Sequence, residues 1–284
     1  MIIGLVVGLL SAGARADADK ERDELAGTLA HYVAGFSTQP RPPRFAFTEF
    51  GDHIAPRTVA EVHSKVGMPG MSARTSTAGL AADKKSAWIA AELEEWPMAC
   101  GTEDCASLPV PELERRHATA LAEKVGEDWQ ITASHVSLIV TGKQQKKALK
   151  QGVMPSELER SVAGAEDVVK QLQSTLGDPK RLAASVSARK DVVLFGSAPD
   201  EHTTGGEAVR AQLLAWKLAF KVRDGIVAGK TASKTLAYVA ANVDATSLAR
   251  PKDKPMPYRL FVIYEKTGAA WQIVLMHFSV VIDP

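Results

Sequence analysis

Residues Glu123–Val140 read EKVGEDWQITASHVSLIV, and residues Glu265–Ile282 read EKTGAAWQIVLMHFSVVI. The two stretches align without a gap at a spacing of 142 positions, which separates Trp129 from Trp271 and His135 from His277 alike. Eight positions carry the same residue in both: Glu, Lys, Gly, Trp, Gln, Ile, His and Ser. Each copy sets a glycine between two runs that read as strands, the pattern of a hairpin. A repeat on this scale in a chain of 284 residues predicts two domains of ordinary size, each able to bury a core.

The repeat extends upstream. Ser86–Leu93 (SAWIAAEL) and Lys234–Asp244 (KTLAYVAANVD) align as strands when Trp88 is set on Tyr238, a spacing of 150. The change from 142 falls in the following loop, which runs from Glu95 to Arg115 in the first copy and only from Ala245 to Pro257 in the second. Ahead of these strands, Leu25, Leu29, Val33 and Phe36, with Tyr32 beside them, predict a helix that ends near Ser37, before Pro40. Arg44–Phe50 alternates as a strand and Thr58–Val66 reads as a short helix. Gly142–Gly152 is polar and basic and reads as a linker. Beyond it, Ser156 with Glu159 suggests a capping box, Asp178-Pro179 a capped helix start, and Thr204 with Glu207 a second box. Asp191–Phe195 is a predicted strand, and Val209, Leu213, Trp216 and Phe220 mark an amphipathic helix.

With 34 basic and 33 acidic residues, the charge balance recruits neither nucleic acid nor an anionic membrane surface. Ile2–Leu10 (IIGLVVGLL) is an apolar run too short to span a bilayer, which takes about 20 residues. Followed by Ala14-Arg15-Ala16, it fits a signal peptide over residues 1–16, although no Lys or Arg precedes it; a buried N-terminal strand is the plainer alternative. The expectation is an exported protein, periplasmic or secreted, with no membrane span in the mature chain. Cys100 and Cys105, in CGTEDC, then read as a disulfide staple within the longer loop, against a two-ligand metal clip or a redox pair. The expected organisation is a first domain over 20–142, a linker over 143–155 and a second domain over 156–284.

Helices first, then a strand, a helix, and an antiparallel meander closing on W-Q-I-x-x-x-H-x-S resemble the nuclear transport factor 2-like superfamily, and within it the SnoaL-like branch. VVLFGSAPDEHTTGGEAVRAQL, from Val192, and YRLFVIYEKTGAAWQIVLMHFSVVI, from Tyr258, carry the resemblance in the second half. Lys85–Glu94 and Arg116–Val140 carry it in the first, while Phe45–Val66 departs from the pattern. The resemblance implies an α+β fold of two tandem cone-shaped barrels, with helices packed on a curved antiparallel sheet. Single domains of this superfamily dimerise through their sheets, so the duplication implies an intramolecular pseudo-dimer. The superfamily holds isomerases, cyclases and dehydratases beside many non-catalytic binding domains, so the fold alone does not choose a reaction.

Strict alternation along the last strand places Trp271, Ile273, Leu275, His277 and Ser279 on one face, and Trp129, Ile131, Ala133, His135 and Ser137 on its counterpart. On that reading His277 is a candidate general base in the C-terminal cone. A core histidine hydrogen-bonded to a neighbour is the plainer reading, favoured by the lack of a carboxylate at a telling spacing. Arg259 stands opposite His277 if the Gly268 turn has a three-residue loop, with His117 opposite His135 in the first copy, and on the other face if the loop has four; both registers stand. Glu201, next to Asp200 and His202, would reach a ligand at the wide end of the cone or sit in a solvated loop. Trp129, His135, Trp216, Tyr238, Tyr264 and Trp271 complete the cavity candidates. The sequence shows no metal-ligand spacing, Walker loop, nucleophile elbow or dinucleotide fingerprint, so no metal or cofactor is implied. The expected role is a non-catalytic binding module for a small apolar molecule or an extracytoplasmic protein partner; the alternative is an isomerase-, cyclase- or hydratase-like enzyme acting in the C-terminal cone.

Overall fold

The computed structural model describes residues 19–33, 43–47, 53–54, 71–95, 115–162 and 164–281. The apolar run at Ile2–Leu10, the cysteine pair, Phe36, Ser37 and the expected helix over Thr58–Val66 lie outside them.

Two six-stranded sheets are built on one plan. The first half contributes β1 (Phe45–Phe47), β2 (His53–Ile54), β3 (Met71–Leu80), β4 (Ser86–Glu95), β5 (Arg115–Val125) and β6 (Asp128–Leu138). The second half contributes β7 (Val193–Phe195), β8 (His202–Thr204), β9 (Leu218–Lys230), β10 (Leu236–Ser247), β11 (Met256–Thr267) and β12 (Ala270–Ser279). The orders are β2-β1-β6-β5-β4-β3 and β8-β7-β12-β11-β10-β9, so each strand has its counterpart six numbers on. Among the strand pairs of the described residues, β1 on β6 and β7 on β12 run parallel and the rest antiparallel. Each sheet is open, with β3 or β9 at one edge, and helices pack on it as the α+β cone expected from the sequence.

Helices cover one face of each sheet. In the first half the helix over 19–33 buries Leu25, Leu29, Tyr32 and Val33 against Ala87, Ile89, Ala91, Ala120 and Trp129. In the second, helices Glu166–Leu176, Pro179–Ala184 and Gly206–Trp216 bury Val169, Leu172, Leu182 and Leu213 against Val239, Ala241, Val262 and Trp271. Alternation along β4 and β10 sends Trp88 and Ala90, and Tyr238 and Ala240, to the opposite face. There the two sheets meet, and Phe45, Phe47, Trp88, Leu121 and Ala133 form one apolar cluster with Phe195, Tyr238, Phe261, Ile263 and Leu275. The close approach of two large rings to the edge strands requires glycine beneath each. A Cβ on Gly79 would lie 2.3 Å from Trp88, and one on Gly229 would lie 2.7 Å from Tyr238.

Several sequence expectations are corrected. Gly142–Gln151, within the stretch read as a linker, forms a helix with a Thr141/Gln144 capping box, ended by Gly152 at φ 66°. Ser156 and Glu159 cap nothing: residues 153–160 have no regular structure, and Leu158 and Ser161 bond to the main chain of β9 at Gly225, Ile226 and Ala228. Thr204 caps nothing either, since Gly205 is the N-cap and the Thr204 hydroxyl meets His202. Phe220 is in β9, beyond the helix end at Trp216. Asp178 is an N-cap as expected, accepting from the Lys180 and Arg181 amides.

Candidate functional site

The repeated motif W-Q-I-x-x-x-H-x-S is divided between two faces by a β-bulge. On β6 the register shifts so that Leu121 pairs with Ala133 and Ala122 with Ile131, leaving Thr132 extra; on β12, Ile263 pairs with Leu275 and Tyr264 with Ile273, leaving Val274 extra. The two bulged residues are again 142 positions apart. One extra residue reverses the face of everything beyond it. Trp129, Ile131, Trp271 and Ile273 therefore face the helices, whereas Ala133, Leu275 and the His and Ser of each copy face the other sheet. The single shared face expected from alternation is thus corrected, because the bulge breaks the period of two.

Between the sheets the motif pairs with itself. The rings of His135 and His277 stack with centroids 3.8 Å apart and planes within 19°. His135 Nε2 lies 2.8 Å from Ser279 Oγ, and His277 Nε2 lies 2.8 Å from Ser137 Oγ, so each histidine bonds the serine of the other copy. Thr119 Oγ1, 3.0 Å from His277 Nδ1, completes that ring. Burial pulls both imidazoles well below their ordinary pKa, with His277, Arg259 and His117 adding to the effect on His135, and His117 and Arg259 adding to it on His277. His117 Nδ1 donates to the Gly196 carbonyl at 2.9 Å, and its ring stacks on Phe195 at 4.1 Å. Desolvation lowers the His117 pKa to about 4, and the charges of His202 and Arg115 push the same way.

The turn at Gly268 and Ala269 is a two-residue loop, since Thr267 pairs with Ala270; after the bulge, Arg259 pairs with Ser279 and Phe261 with His277. Arg259 and His277 share the face between the sheets, with Arg259 diagonal to His277 rather than opposite it. Arg259 is fully buried and its guanidinium lies 5.4 Å from the centre of the Phe47 ring. Tyr238 also lies between the sheets, stacked at 6.0 Å on Phe261 and 6.3 Å on Phe45. Trp129, Trp271 and Tyr264 are core residues of the two cones. Trp271 Nε1 donates to Asp167 Oδ2 at 2.9 Å, and Tyr264 is wholly buried, which raises its pKa.

Glu201 and Trp216 come together elsewhere. They line a cavity of about 90 Å³ on the helix-covered side of the second sheet, with Gly196, Leu218, Phe220, Tyr258 and Phe278. Phe278 is set at 81° to Trp216 and 89° to Tyr258, and nearly parallel to Phe220 at 4.8 Å. Glu201 Oε2 accepts from the Ser197 amide (2.9 Å), the Ala198 amide (3.0 Å) and Gln145 Nε2 (2.9 Å), which fixes the carboxylate at the rim. Burial, and then the Glu201 charge, push the Tyr258 phenol pKa up. Phe278 was not a sequence candidate. Its signal is the period of two, which puts it on the cone side beside an interface histidine. The first half has a larger cleft of about 500 Å³ between its helix and β3, lined by small residues such as Ala26 and Ala73 and by charged or polar ones such as Arg22, His31 and Arg74. Among the described residues no group of three or more His, Cys, Asp or Glu is placed to hold a metal, and no helix is long and apolar enough to cross a membrane.

Comparison with known proteins places the second half. Residues 174–283 match the model of the SnoaL-like domain. None of the curated proteins matches the chain. Among solved structures, an NTF2-like protein of unknown function from Pseudomonas putida KT2440 is similar over 42% of this chain and 84% of its own, at 15% identity and a TM-score of 0.33. An NTF2-like protein from Shewanella oneidensis MR-1 covers 40% of this chain and 94% of its own, at 20% identity and a TM-score of 0.30. A nuclear transport factor 2-like superfamily protein from Salmonella enterica serovar Typhimurium covers 40% and 86%, at 12% identity and a TM-score of 0.32.

Proposed function

We propose, starting from a chain whose residues 174–283 are a SnoaL-like domain and whose first sheet repeats that domain's strand order, that the protein is an exported, non-catalytic binding module for a small molecule with an apolar surface. The observation that carries this reading is the use to which the repeated histidines are put. A general base must reach a substrate proton. Both nitrogens of His277 are instead occupied by Ser137 and Thr119 of the other half, deep between two sheets. The groups that catalysis would have used hold the halves together as a pseudo-dimer, and the second half keeps an aromatic-lined cavity apart from them. The domain limits at 20–142 and 156–284, with the helix Gly142–Gln151 between them, and export from the Ile2–Leu10 run belong to the same proposal.

The rival is an isomerase- or lyase-type enzyme, and one observation favours it: the same cavity brings the Glu201 carboxylate beside the Tyr258 phenol. Native mass spectrometry of the full chain recovered from a periplasmic fraction, compared with the denatured sample, tests the proposal. A monomer at the mass expected after cleavage near Ala16, releasing a small molecule on denaturation, is the expected result. An empty protein that assembles further overturns the small-molecule reading in favour of a protein partner. A released molecule that purified protein then converts, with loss of conversion in Glu201→Gln, establishes the enzyme.

A further inference from the structure

The cavity of the second half has more chemistry than an apolar pocket needs. Phe278 packs on Phe220 at 4.8 Å with planes 27° apart, Trp216 and Tyr258 stand almost perpendicular to it, and all four rings line the cavity. A cation within about 6 Å of a ring centre is attracted by the ring's quadrupole, and several rings around one point add their attractions. At the rim stands Glu201. Its Oε2 is saturated by three donors, while among the described residues no donor reaches Oε1 and no lysine or arginine pairs with the carboxylate. A half-buried carboxylate lining an aromatic box, with no counter-charge among the described residues, favours a cationic occupant over a neutral one. The cavity, at about 90 Å³, is well below the roughly 300–1,000 Å³ of pockets that enclose drug-sized ligands, so the occupant is small.

The duplication isolates this feature. The two copies share the turn glycine, the core tryptophan and the interface His and Ser, but 142 positions before Tyr258 and Phe278 stand Arg116 and Val136. What both copies need for packing is held in common. The aromatic box is in the second copy alone, and in the first an arginine stands at the position of Tyr258.

We propose that this box, formed by Trp216, Phe220, Tyr258 and Phe278 with Glu201 at its rim, binds a small methylated ammonium group. The inference rests on the binding-module reading and names the ligand class of that same site. A trimethylammonium head presents methyl groups to the ring faces while its charge, too diffuse to need hydrogen bonds, is balanced by Glu201 Oε1. A primary ammonium, with three strongly hydrated N–H groups, would find only Glu201 Oε1 in place of its hydration shell.

Isothermal titration calorimetry on the full chain compares choline with 3,3-dimethylbutan-1-ol, which has the same shape without the charge. Choline is expected to bind at least tenfold more tightly than the alcohol, and the preference is expected to disappear in Glu201→Gln. Trp216→Leu is expected to weaken choline binding by roughly tenfold. Thermal melts of both variants confirm that they fold. Vesicles of phosphatidylcholine form a parallel arm: co-sedimentation assigns the head group to lipid, and binding of free choline alone assigns it to a soluble molecule. Equal binding of choline and the alcohol overturns the cation assignment and leaves the binding module standing. Binding of neither up to tens of millimolar also overturns it, and the module reading is then decided by the mass spectrometry alone.

Discussion

Acidification is expected to weaken the protein through His117, and the amount follows from its surroundings. The ring is fully buried, stacked on Phe195 and bonded to the Gly196 carbonyl, and its pKa falls from the ordinary 6.5 to about 4. Unfolded, the same imidazole takes a proton at its ordinary value. Between those two pH values the unfolded chain therefore binds more protons than the folded one, so stability is complete above pH 6.5 and is lost as pH falls towards 4. At about 1.4 kcal/mol for each tenfold in proton affinity, the full loss is roughly 3 kcal/mol, of which about 2 kcal/mol is gone by pH 5. His135 and His277 act in the same direction. The measurement is urea unfolding followed by tryptophan fluorescence at pH 8, 7, 6 and 5, on the native chain and on His117→Gln. Glutamine retains a donor for Gly196 and does not titrate, so the variant is expected to lose about 1 kcal/mol at pH 8 and to show a fall between pH 8 and 5 smaller by about 2 kcal/mol. Parallel pH profiles for the two proteins would refute the reasoning.

Three further outcomes are expected. Ser137→Ala removes the partner of a buried His277 nitrogen and is expected to cost about 1–3 kcal/mol in urea unfolding, with Ser279→Ala costing a similar amount through His135. Gly229→Ala drives a methyl group against the Tyr238 ring and is expected to cost about 1–3 kcal/mol in the same assay, whereas a change below measurement error would show that the ring moves freely. Asp178→Ala removes the N-cap of the short helix Pro179–Ala184 and is expected to cost about 1 kcal/mol, read from the melting temperature.

The two-sheet plan was legible because one hairpin is repeated with its turn glycine, core tryptophan and spacing intact. Its last two strands in each half fall where the repeat puts them. What escaped the sequence has local causes. β3 (MSARTSTAGL) and β9 (LAFKVRDGIVAGK) carry Gly, Ser, Arg and Lys at a sheet edge, where one face is only partly covered, so neither shows a clean alternation. Ser156 and Glu159 have the spacing of a capping box, but hydrogen bonds from β9 claim that backbone first. At the site, plain alternation puts His277 on the face of Trp271, and the bulge turns it to the other, where it is a buried, hydrogen-bonded histidine. The bulge at Val274 has no residue signature, since valine is at home in any strand. The aromatic box escaped for a different reason: its four rings come from a helix end and three strands, and only the fold brings them together.

The exchange of His–Ser bonds between the two copies also orders events during synthesis. The first sheet is complete once Leu138 has been made, yet the face carrying Trp88, Leu121, Ala133 and His135 has no cover until β10, β11 and β12 follow. For the time it takes to translate some 140 further residues, the nascent first half presents a wide apolar face with a sheet edge beside it, the kind of surface that recruits holding chaperones or aggregates. An exported chain that crosses its membrane unfolded meets both halves at once on the far side. The export proposed above, if it precedes folding, spares this duplicated protein the interval in which its first half stands alone.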